Sequence, residues 1–447
     1  AILGFHVVIS LIALTVLSKF GSRSSFFNLL LIRGLRRYKA PSNEELRALL
    51  PSQKAGGGKQ ARKRRLQREE EEREGFNVPR GLPIQLHADE VRLNELERFP
   101  LYDNIHWLCV FVPVSLAVFF ICEFYRWLNS SSPDTNVSVI WLIVGIGCCL
   151  QILARLTAMI LGGEDEKGLL LSMTVLSFFA LFVLTVFIDR LFDISLLDAY
   201  EEMTKNAAKI VQEEVIVKWN SPLLLYISLV LLFSMISACL IFPSFRYATM
   251  YTKALLVADP FTRLLLHITF LLPAVIIALF SLPMKPFLTE GRRKVLTPSQ
   301  LESLRIYLTL LWCILRVSIR RPLLQAHLDL AYDKVRLLQR QTGRIKNTEL
   351  QSLIFRYYSY SCAVLGQFLS PTILVLFLAL LLKSTADISW TGEPLARQSP
   401  SFSDSLVAIF TPAICRAVVS FSLLSTLSIV FSLSLVGVVY MYYFSNE

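Results

Sequence analysis

The chain lacks the residue patterns that mark most catalytic and metal sites. It has no nucleophile elbow, no phosphate-binding glycine loop, no metal-binding histidine pair and no paired carboxylates at catalytic spacing, and only five of its 447 residues are histidine. Its eight cysteines all lie within or beside apolar runs, with neither disulfide-framework nor metal-ligand spacing. Internal repeats typical of inverted-repeat transporters are also missing. We therefore expect neither an enzyme nor a cofactor.

Apolar residues dominate instead, at 54% of the chain, in several runs of seventeen residues or more. This composition predicts a polytopic α-helical membrane protein. The net charge of +11 would suggest nucleic acid in a soluble chain. Here the basic residues cluster beside the apolar runs, where they set membrane orientation. We expect anionic membrane lipids on the cytosolic face as partners, and no nucleic acid.

The hydrophobic pattern predicts an all-α membrane helix bundle of about nine spans, with a cytosolic helical hairpin extending from spans seven and eight. In chain order the predicted segments are a first membrane helix at 1–18, a basic cytosolic segment with a charged flexible tether at 19–104, spans two to five at 105–243, spans six and seven with a cytosolic connector at 244–321, a cytosolic amphipathic helical arm at 322–357, and spans eight and nine at 358–447.

Charge predicts the orientation of these spans. Segment 19–104 carries 18 basic and 12 acidic residues, a net charge of +6, and segment 320–357 carries eight basic and three acidic residues, a net charge of +5. Because basic segments stay in the cytosol, the N-terminus is predicted outside or lumenal and the C-terminus cytosolic, in the plasma membrane or an endomembrane. The basic loop after position 284 falls on the outer side and does not fit. Alternatively, residues 1–18 are a cleaved signal peptide.

Three local signals predict where helices in the basic segment and the arm begin and end. Ser42 and Glu45 have capping-box spacing for a short helix, and so do Thr348 and Gln351. Gly343 is the predicted turn between the helices of the arm.

Charged side chains within the spans are the first candidates for a functional site, because charge in a membrane is unfavourable unless it is used or paired. For the arginines the alternative is that each extends toward a nearby span end, and for the histidine that it is simply packed. Glu123 is predicted to pair with Arg305 or with another outer cation such as Arg416. The candidate network consists of Glu123, Arg155, Arg305, Arg316, Arg416 and His267.

An apolar seam follows the seventh span with alternating steps of four and three residues, as in a heptad repeat. Such a seam must be buried, either against the chain's own cytosolic segments as scaffold or against a partner as a docking face. Its residues are Leu324, Leu328, Ala331, Val335 and Leu338. The ninth span is rich in serine, which favours close helix packing.

Two asparagines lie in the loop NSSSPDTNVS within glycosylation-type triplets, Asn129-Ser130-Ser131 and Asn136-Val137-Ser138. Their shared location supports an outer face for this loop. Proximity to the bilayer can nevertheless prevent modification, so both are candidate sites only.

Several stretches along the chain carry a family resemblance: LRRYKAPSNEELRAL at 35–49, NVSVIW at 136–141, FPSFRYATMYTKAL at 242–255, LLHITFLLP at 265–273, LRIYLTLLWCILRV and LLQAHLDLA between 304 and 331, TGRIKNTELQ at 342–351, and IFTP with Arg416. Together they resemble the transmembrane protein 161 family of eukaryotic multi-pass membrane proteins. The resemblance implies no catalytic activity or cofactor. It implies an association with membrane excitability, through potassium and calcium currents, and with protection against oxidative stress.

Two functions from different classes fit these features. The first is a non-enzymatic regulatory or accessory protein that docks on an ion channel or another membrane protein and tunes its currents. The alternative is a transporter or channel with a polar path near Glu123 and the stripe of Arg305 and Arg316. The lack of repeats and the scarcity of acidic residues in mid-membrane favour the first.

Overall fold

Helices make up most of the regular structure in the computed structural model, which describes residues 5–20, 32–49, 76–128, 136–211, 222–290, 296–392 and 411–444. The helices are α1 (Phe5–Phe20), α2 (Asn43–Leu49), α3 (Leu93–Leu96), α4 (Tyr102–Leu128), α5 (Ser138–Ile160), α6 (Glu164–Val186), α7 (Ile188–Leu191), α8 (Leu196–Val211), α9 (Leu223–Val257), α10 (Pro260–Phe280), α11 (Met284–Thr289), α12 (Pro298–Ser318), α13 (Arg320–Gln339), α14 (Asn347–Ser359), α15 (Ser361–Thr385) and α16 (Pro412–Phe444). The strands are β1 (Arg36–Lys39), β2 (Asn77–Pro79), β3 (His87–Glu90) and β4 (Arg344–Lys346).

The chain divides into two compact units. The transmembrane unit comprises Ala1–Phe27, Asn104–Ile319 and Gly366–Glu447, and the α/β unit comprises Asn28–Asp103 and Arg320–Leu365. The sequence analysis treated 19–104 and 322–357 as separate segments. Most of both belongs to one unit, built from two stretches that are far apart in the chain.

Seven helices among the described residues are long and apolar enough to cross a membrane: α4, α5, α6, α9, α10, the run Asn347–Thr385 that joins α14 and α15, and α16. They correspond to predicted spans two to six, eight and nine. Helix α1 is apolar but has only 16 residues. The predicted seventh span, α12, is not among the seven, because its charged residues lower its mean hydropathy. The multi-pass helical architecture is confirmed, whereas spans one and seven remain predictions.

Helix α9 is the longest element, at 35 residues, and packs against α5, α6 and α16. The predicted fifth span ends at 243, but the helix continues through Pro243 to Val257. A proline inside a membrane helix is tolerated because neighbouring groups satisfy the freed carbonyl. The connector at the start of the predicted 244–321 segment is therefore helical as far as Val257. Close approach of α9 and α16 depends on Gly437, where a Cβ atom would lie 2.7 Å from that of Ala248.

The part of α15 within the transmembrane unit lies at its centre. In the run Asn347–Thr385, 94% of the most apolar 18-residue window is buried. Two glycines mark close contacts of this helix: the Phe377 ring occupies the space beside Gly145, and Gly366 lies against Leu156 and Ile105. This apolar helix thus packs against protein rather than lipid.

The α/β unit contains two small antiparallel sheets. One lies within the first stretch of the unit, and the other joins the two stretches. Strand β1 pairs with β3 with Tyr38 opposite Ala88, and β2 pairs with β4 with Val78 opposite Ile345. The all-α prediction therefore misses two short sheets. Gly343, with φ of +117°, forms the turn before β4, as predicted.

The apolar seam of α13 is largely buried, and its second half lies in the core of the α/β unit. Ala331 and Val335 pack with residues of both stretches, and Leu338 packs against the same cluster while partly exposed. Leu324 and Leu328 are also buried. The core residues are Leu46, Phe76, Val78, Ile84, Ala331, Val335, Ile345, Leu350 and Ile354. The arm is part of this larger unit, so a separate hairpin of α13 and α14 is not established.

Capping chemistry begins two helices of this unit differently. Ser42 and Glu45 exchange both capping-box hydrogen bonds at α2, at 2.9 and 3.3 Å, as predicted. The prediction for Thr348 is wrong, since α14 begins at Asn347 without a side-chain cap. Gln351 instead donates to the carbonyl oxygen of Pro41 at 3.0 Å. The predicted charged tether, mostly within 50–75, lies outside the described residues.

Candidate functional site: ion-pair clusters of the transmembrane unit

Asp193 is the centre of a partly buried ion-pair cluster. It lies between α7 and α8, where its backbone N–H donates to the carbonyl oxygen of Phe280 at 2.8 Å. Its carboxylate accepts from Arg305 Nη2 at 3.1 Å and from Lys285 Nζ at 2.9 Å. Arg305 Nε donates to the carbonyl oxygen of Leu279 at 3.0 Å, near the end of α10 where helix carbonyls lack intrahelical partners. One carboxylate thereby ties the α7–α8 connection to α10 and α12.

The charges around Asp193 keep it ionised. Burial opposes ionisation, but the hydrogen bond from Lys285 and the positive charges of Arg305 and Lys285 hold the pKa of Asp193 below its usual value. Nearby Asp189 differs, because burial raises its pKa against the opposing hydrogen bonds from the N–H groups of Leu196 and Leu197. Those two bonds, at 2.6 and 3.3 Å, cap α8.

A cavity of about 320 Å³ opens beside this cluster, between the start of α8, α11 and the first turns of α16. Arg416 on its wall forms an ion pair with Glu302, and Glu202 accepts from Thr411 Oγ1 at 3.0 Å. Both charge signs line the cavity, which suits a small charged or zwitterionic solute. Its lining consists of Asp193, Ile194, Ser195, Asp198, Ala199, Glu202, Lys285, Ala413, Arg416, Ala417 and Ser420.

Glu123 belongs to a different cluster. Its carboxylate pairs with Lys383 at the end of α15 and, at 3.3 Å, with Arg126 one turn further along α4. Arg126 also lies 3.6 Å from Asp387. The predicted pairing of Glu123 with Arg305 or Arg416 is wrong. Similar depth on two spans does not place two side chains on facing sides.

Arg316 lies among aromatic rings. Its guanidinium carbon is 4.2 Å from the Tyr247 ring centroid, 5.1 Å from that of Trp312 and 5.6 Å from that of Phe368. The Tyr247 ring stacks near Tyr251, at 6.2 Å between centroids.

His267 lies beside this aromatic group. Its Nδ1 forms a hydrogen bond with the hydroxyl of Tyr251 at 2.8 Å. The histidine is therefore packed and hydrogen-bonded, which is the alternative that the sequence analysis gave to a functional role.

The model of one protein family, described as predicted transmembrane protein 161AB, matches residues 1–401. The chain belongs to this family. No solved structure matches it. The family match and the apolar helices together make the chain a multi-pass integral membrane protein.

In this member of the transmembrane protein 161AB family, the six candidate charged residues do not form one network. Glu123 lies in one cluster. Arg305 pairs with Asp193, and Arg416 lines the cavity beside Asp193. Arg316 lies near His267 through the aromatic group. The sixth, Arg155 on α5, is exposed.

The docking seam predicted for this family member is covered by its own chain, because four of its five residues are buried and the fifth packs on the same core. The seam is scaffold by the criterion set from the sequence. Of the two candidate glycosylation sites, Asn129 lies outside the described residues. The Asn136 side-chain amide donates to Ser384 Oγ at 2.6 Å and its oxygen accepts from Ser138. Modification of Asn136 would disrupt these bonds.

Sequence reasoning missed Asp193 and Lys285. A signal was present in the sequence, since residues 189–222 carry seven acidic and four basic residues and the segment after 284 is basic. Charged groups near a membrane tend to pair with one another, and Lys285 pairs with Asp193.

Proposed function

We propose that this chain is a non-enzymatic accessory protein that tunes potassium or calcium currents carried by another membrane protein. The observation that supports it is the separation of Glu123 and Asp193 into distinct clusters, in each of which the carboxylate is paired with cations of the same chain. The currents themselves, and an association with oxidative stress protection, enter the proposal through the family resemblance.

Internal pairing disfavours ion conduction through the described residues. A conduction path needs polar groups that follow one another and release an ion as readily as they bind it. Glu123 is occupied by Lys383, and Asp193 by Arg305. An ion that used either carboxylate would have to displace a buried partner, which is unfavourable by several kcal/mol in order of magnitude.

An accessory protein needs a surface that contacts its partner, and the α13 seam does not provide it. Helix α6 does: only 11% of its most apolar window is buried, and it packs mainly along α9. Its exposed face includes Leu171, Leu176 and Phe179. We assign this face to an apolar transmembrane helix of the regulated channel, because helices associate in membranes through such packing surfaces.

Current recordings test this assignment. Purified protein in liposomes should carry no current or ion flux, and its co-expression with a potassium or calcium channel should change the channel's current. Leu176→Trp with Phe179→Trp should abolish the change. Ile143→Trp, on the exposed face of α5, is the matched control and should leave it intact. If both variants still changed the channel's current, α6 would face only lipid. Flux through the protein alone would refute the accessory role.

The Asp193 cavity favours the second candidate, a transporter or channel. Its volume of about 320 Å³ and its mixed charges could hold a small solute. Under this alternative, proteoliposomes take up a solute or ion, and uptake falls with Arg416→Gln at the cavity or with Glu123→Gln and Arg316→Gln in the spans. Uptake that is insensitive to all three would leave the transporter without a site.

We also propose that the N-terminus is outside or lumenal, the C-terminus cytosolic, and anionic lipid bound on the cytosolic side. The net charges of +6 and +5 on segments 19–104 and 320–357 support this. An epitope tag within 51–60 should be protected from external protease in intact cells. Surface labelling of that tag would show that the orientation is opposite to the one proposed.

A further inference from the structure

Arg316 is a buried cation without an acidic partner. Its side chain lies in the last turn of α12 with 3% of the residue's surface exposed, and no carboxylate pairs with it among the residues that the structure describes. Its Nε atom is buried and has no hydrogen-bond acceptor there. Every other span arginine discussed above except exposed Arg155 has a carboxylate partner. Removal of a guanidinium from water without such a partner is strongly unfavourable, so Arg316 requires compensation.

The surrounding rings compensate only part of this charge. Tyr247, Trp312 and Phe368 lie within 4.2 to 5.6 Å of the guanidinium carbon and offer cation–π attraction. A guanidinium has five N–H donors that prefer to point at lone pairs in its own plane, and ring faces are weak acceptors. The Trp312 indole N–H already donates to the carbonyl oxygen of Thr269 at 3.0 Å. The rings therefore hold the cation while its Nε–H donor stays unsatisfied.

The Tyr247 hydroxyl is the second unsatisfied group. Tyr247 is 2% exposed, and its hydroxyl oxygen is buried without a hydrogen-bond partner in the described structure. Its ring is the one nearest to the guanidinium. The hydroxyl of Tyr247 and the Nε–H of Arg316 each lack a hydrogen-bond partner in the described structure, so an acceptor that reached both would satisfy two buried donors.

We propose that Arg316 and Tyr247 form a buried binding site for a small inorganic anion of the halide class. An anion that accepts from both groups also neutralises the guanidinium of Arg316, which a water molecule cannot do. Arg316, Tyr247, Trp312 and Phe368 are each 3% exposed or less, which favours a monatomic ion over a lipid headgroup with its glycerol. The site does not depend on the proposed role in ion currents.

Chloride binding to the purified full chain in detergent tests this site. The line width of the ³⁵Cl NMR signal should increase with protein concentration and fall when bromide competes, at constant ionic strength with gluconate. Melting temperature should be higher in chloride than in gluconate. Arg316→Gln should remove both effects. The matched control is Arg263→Gln on α10, an exposed arginine in the same unit, which should retain both.

Tyr247→Phe keeps the ring and removes only the hydroxyl, so it tests the site even if Arg316→Gln does not fold. It should weaken chloride binding about tenfold or more, the equivalent of one hydrogen bond to a charged group. Equal broadening in the parent and the folded Arg316→Gln protein would overturn the proposal. An unchanged chloride affinity of Tyr247→Phe would also overturn it. So would a parent protein that does not respond to halide but carries a phospholipid, detected by mass spectrometry, that the Arg316→Gln protein lacks.

Discussion

Replacement of Asp193 by asparagine should destabilise the transmembrane unit through its effect on Arg305. Asparagine keeps the shape and one acceptor oxygen, but removes the negative charge that faces a buried guanidinium. The side chains of Arg305 and Asp193 are 4% and 17% exposed. Removal of one partner from a buried pair is unfavourable by about 3–5 kcal/mol, and we expect about 2–3 kcal/mol here because Asp193 is partly solvated and Arg305 keeps its bond to Leu279.

The assay is denaturant unfolding of the full chain in mixed micelles, with two comparisons. Lys285 contacts the same carboxylate, but its side chain is 38% exposed, so Lys285→Met should change stability by less than about 1 kcal/mol. In a double-mutant cycle, Asp193→Asn and Arg305→Met should show a coupling of about 1–3 kcal/mol. Additive effects, or equal effects of Asp193→Asn and Lys285→Met, would refute the assignment of Arg305 as the buried partner.

The pH dependence has a definite sign. The pKa of Asp193 is lower in the folded chain than in the unfolded one, so its stabilising contribution is fully present above the unfolded value, about 3.9. It is lost as pH falls through the folded pKa. The difference between parent and Asp193→Asn should therefore stay constant between about pH 8 and pH 5 and shrink below about pH 4. A difference that shrinks near pH 6 would point to another titrating group.

Three further changes have expected outcomes. Glu123→Gln and Lys383→Met should each lower stability by about 2–4 kcal/mol, and together by less than the sum, since the double mutant leaves no unpaired buried charge. Asn347→Ala, which removes two side-chain hydrogen bonds in the α/β unit, should lower its stability by about 2–3 kcal/mol and speed limited proteolysis there. Gly145→Ala should lower the melting temperature, because its methyl group would overlap a buried ring, whereas Gly147→Ala meets nothing within 4 Å and should not.

The positions of most membrane helices could be predicted because apolar length is a local property. The segment predicted to hold spans two to five, 105–243, begins within three residues of the start of α4 at Tyr102 and contains the rest of α4 and all of α5 and α6. Burial of the α13 seam followed from its spacing alone. The extension of α9 beyond Pro243 could not be predicted in this way, since its sequence there mixes charged and apolar residues without a continuous run.

The candidate site was harder to predict because ion pairs depend on which sides of two helices face each other. Hydrophobic runs predict the depth of Glu123 and Arg305 in the membrane, but not the rotation of their helices. Their partners are Lys383, 260 positions away, and Asp193, 112 positions away. The pairing of Val78 with Ile345 was invisible for a related reason, as strands of three residues carry almost no periodic signal.

The discontinuity of the α/β unit has a consequence for synthesis. Its first stretch, ending at Asp103, leaves the ribosome before the second, beginning at Arg320, has been made. At about 5–20 residues per second, translation of Asn104–Ile319 takes roughly 10–40 s. During that interval Leu46, Phe76 and Val78 lack the α13 and α14 side chains that cover them, and need a chaperone or remain open to wrong partners. This core can therefore form only after the ribosome has translated the intervening membrane segments. A chain that stops among those segments has an incomplete core with exposed apolar residues, which quality control can recognise.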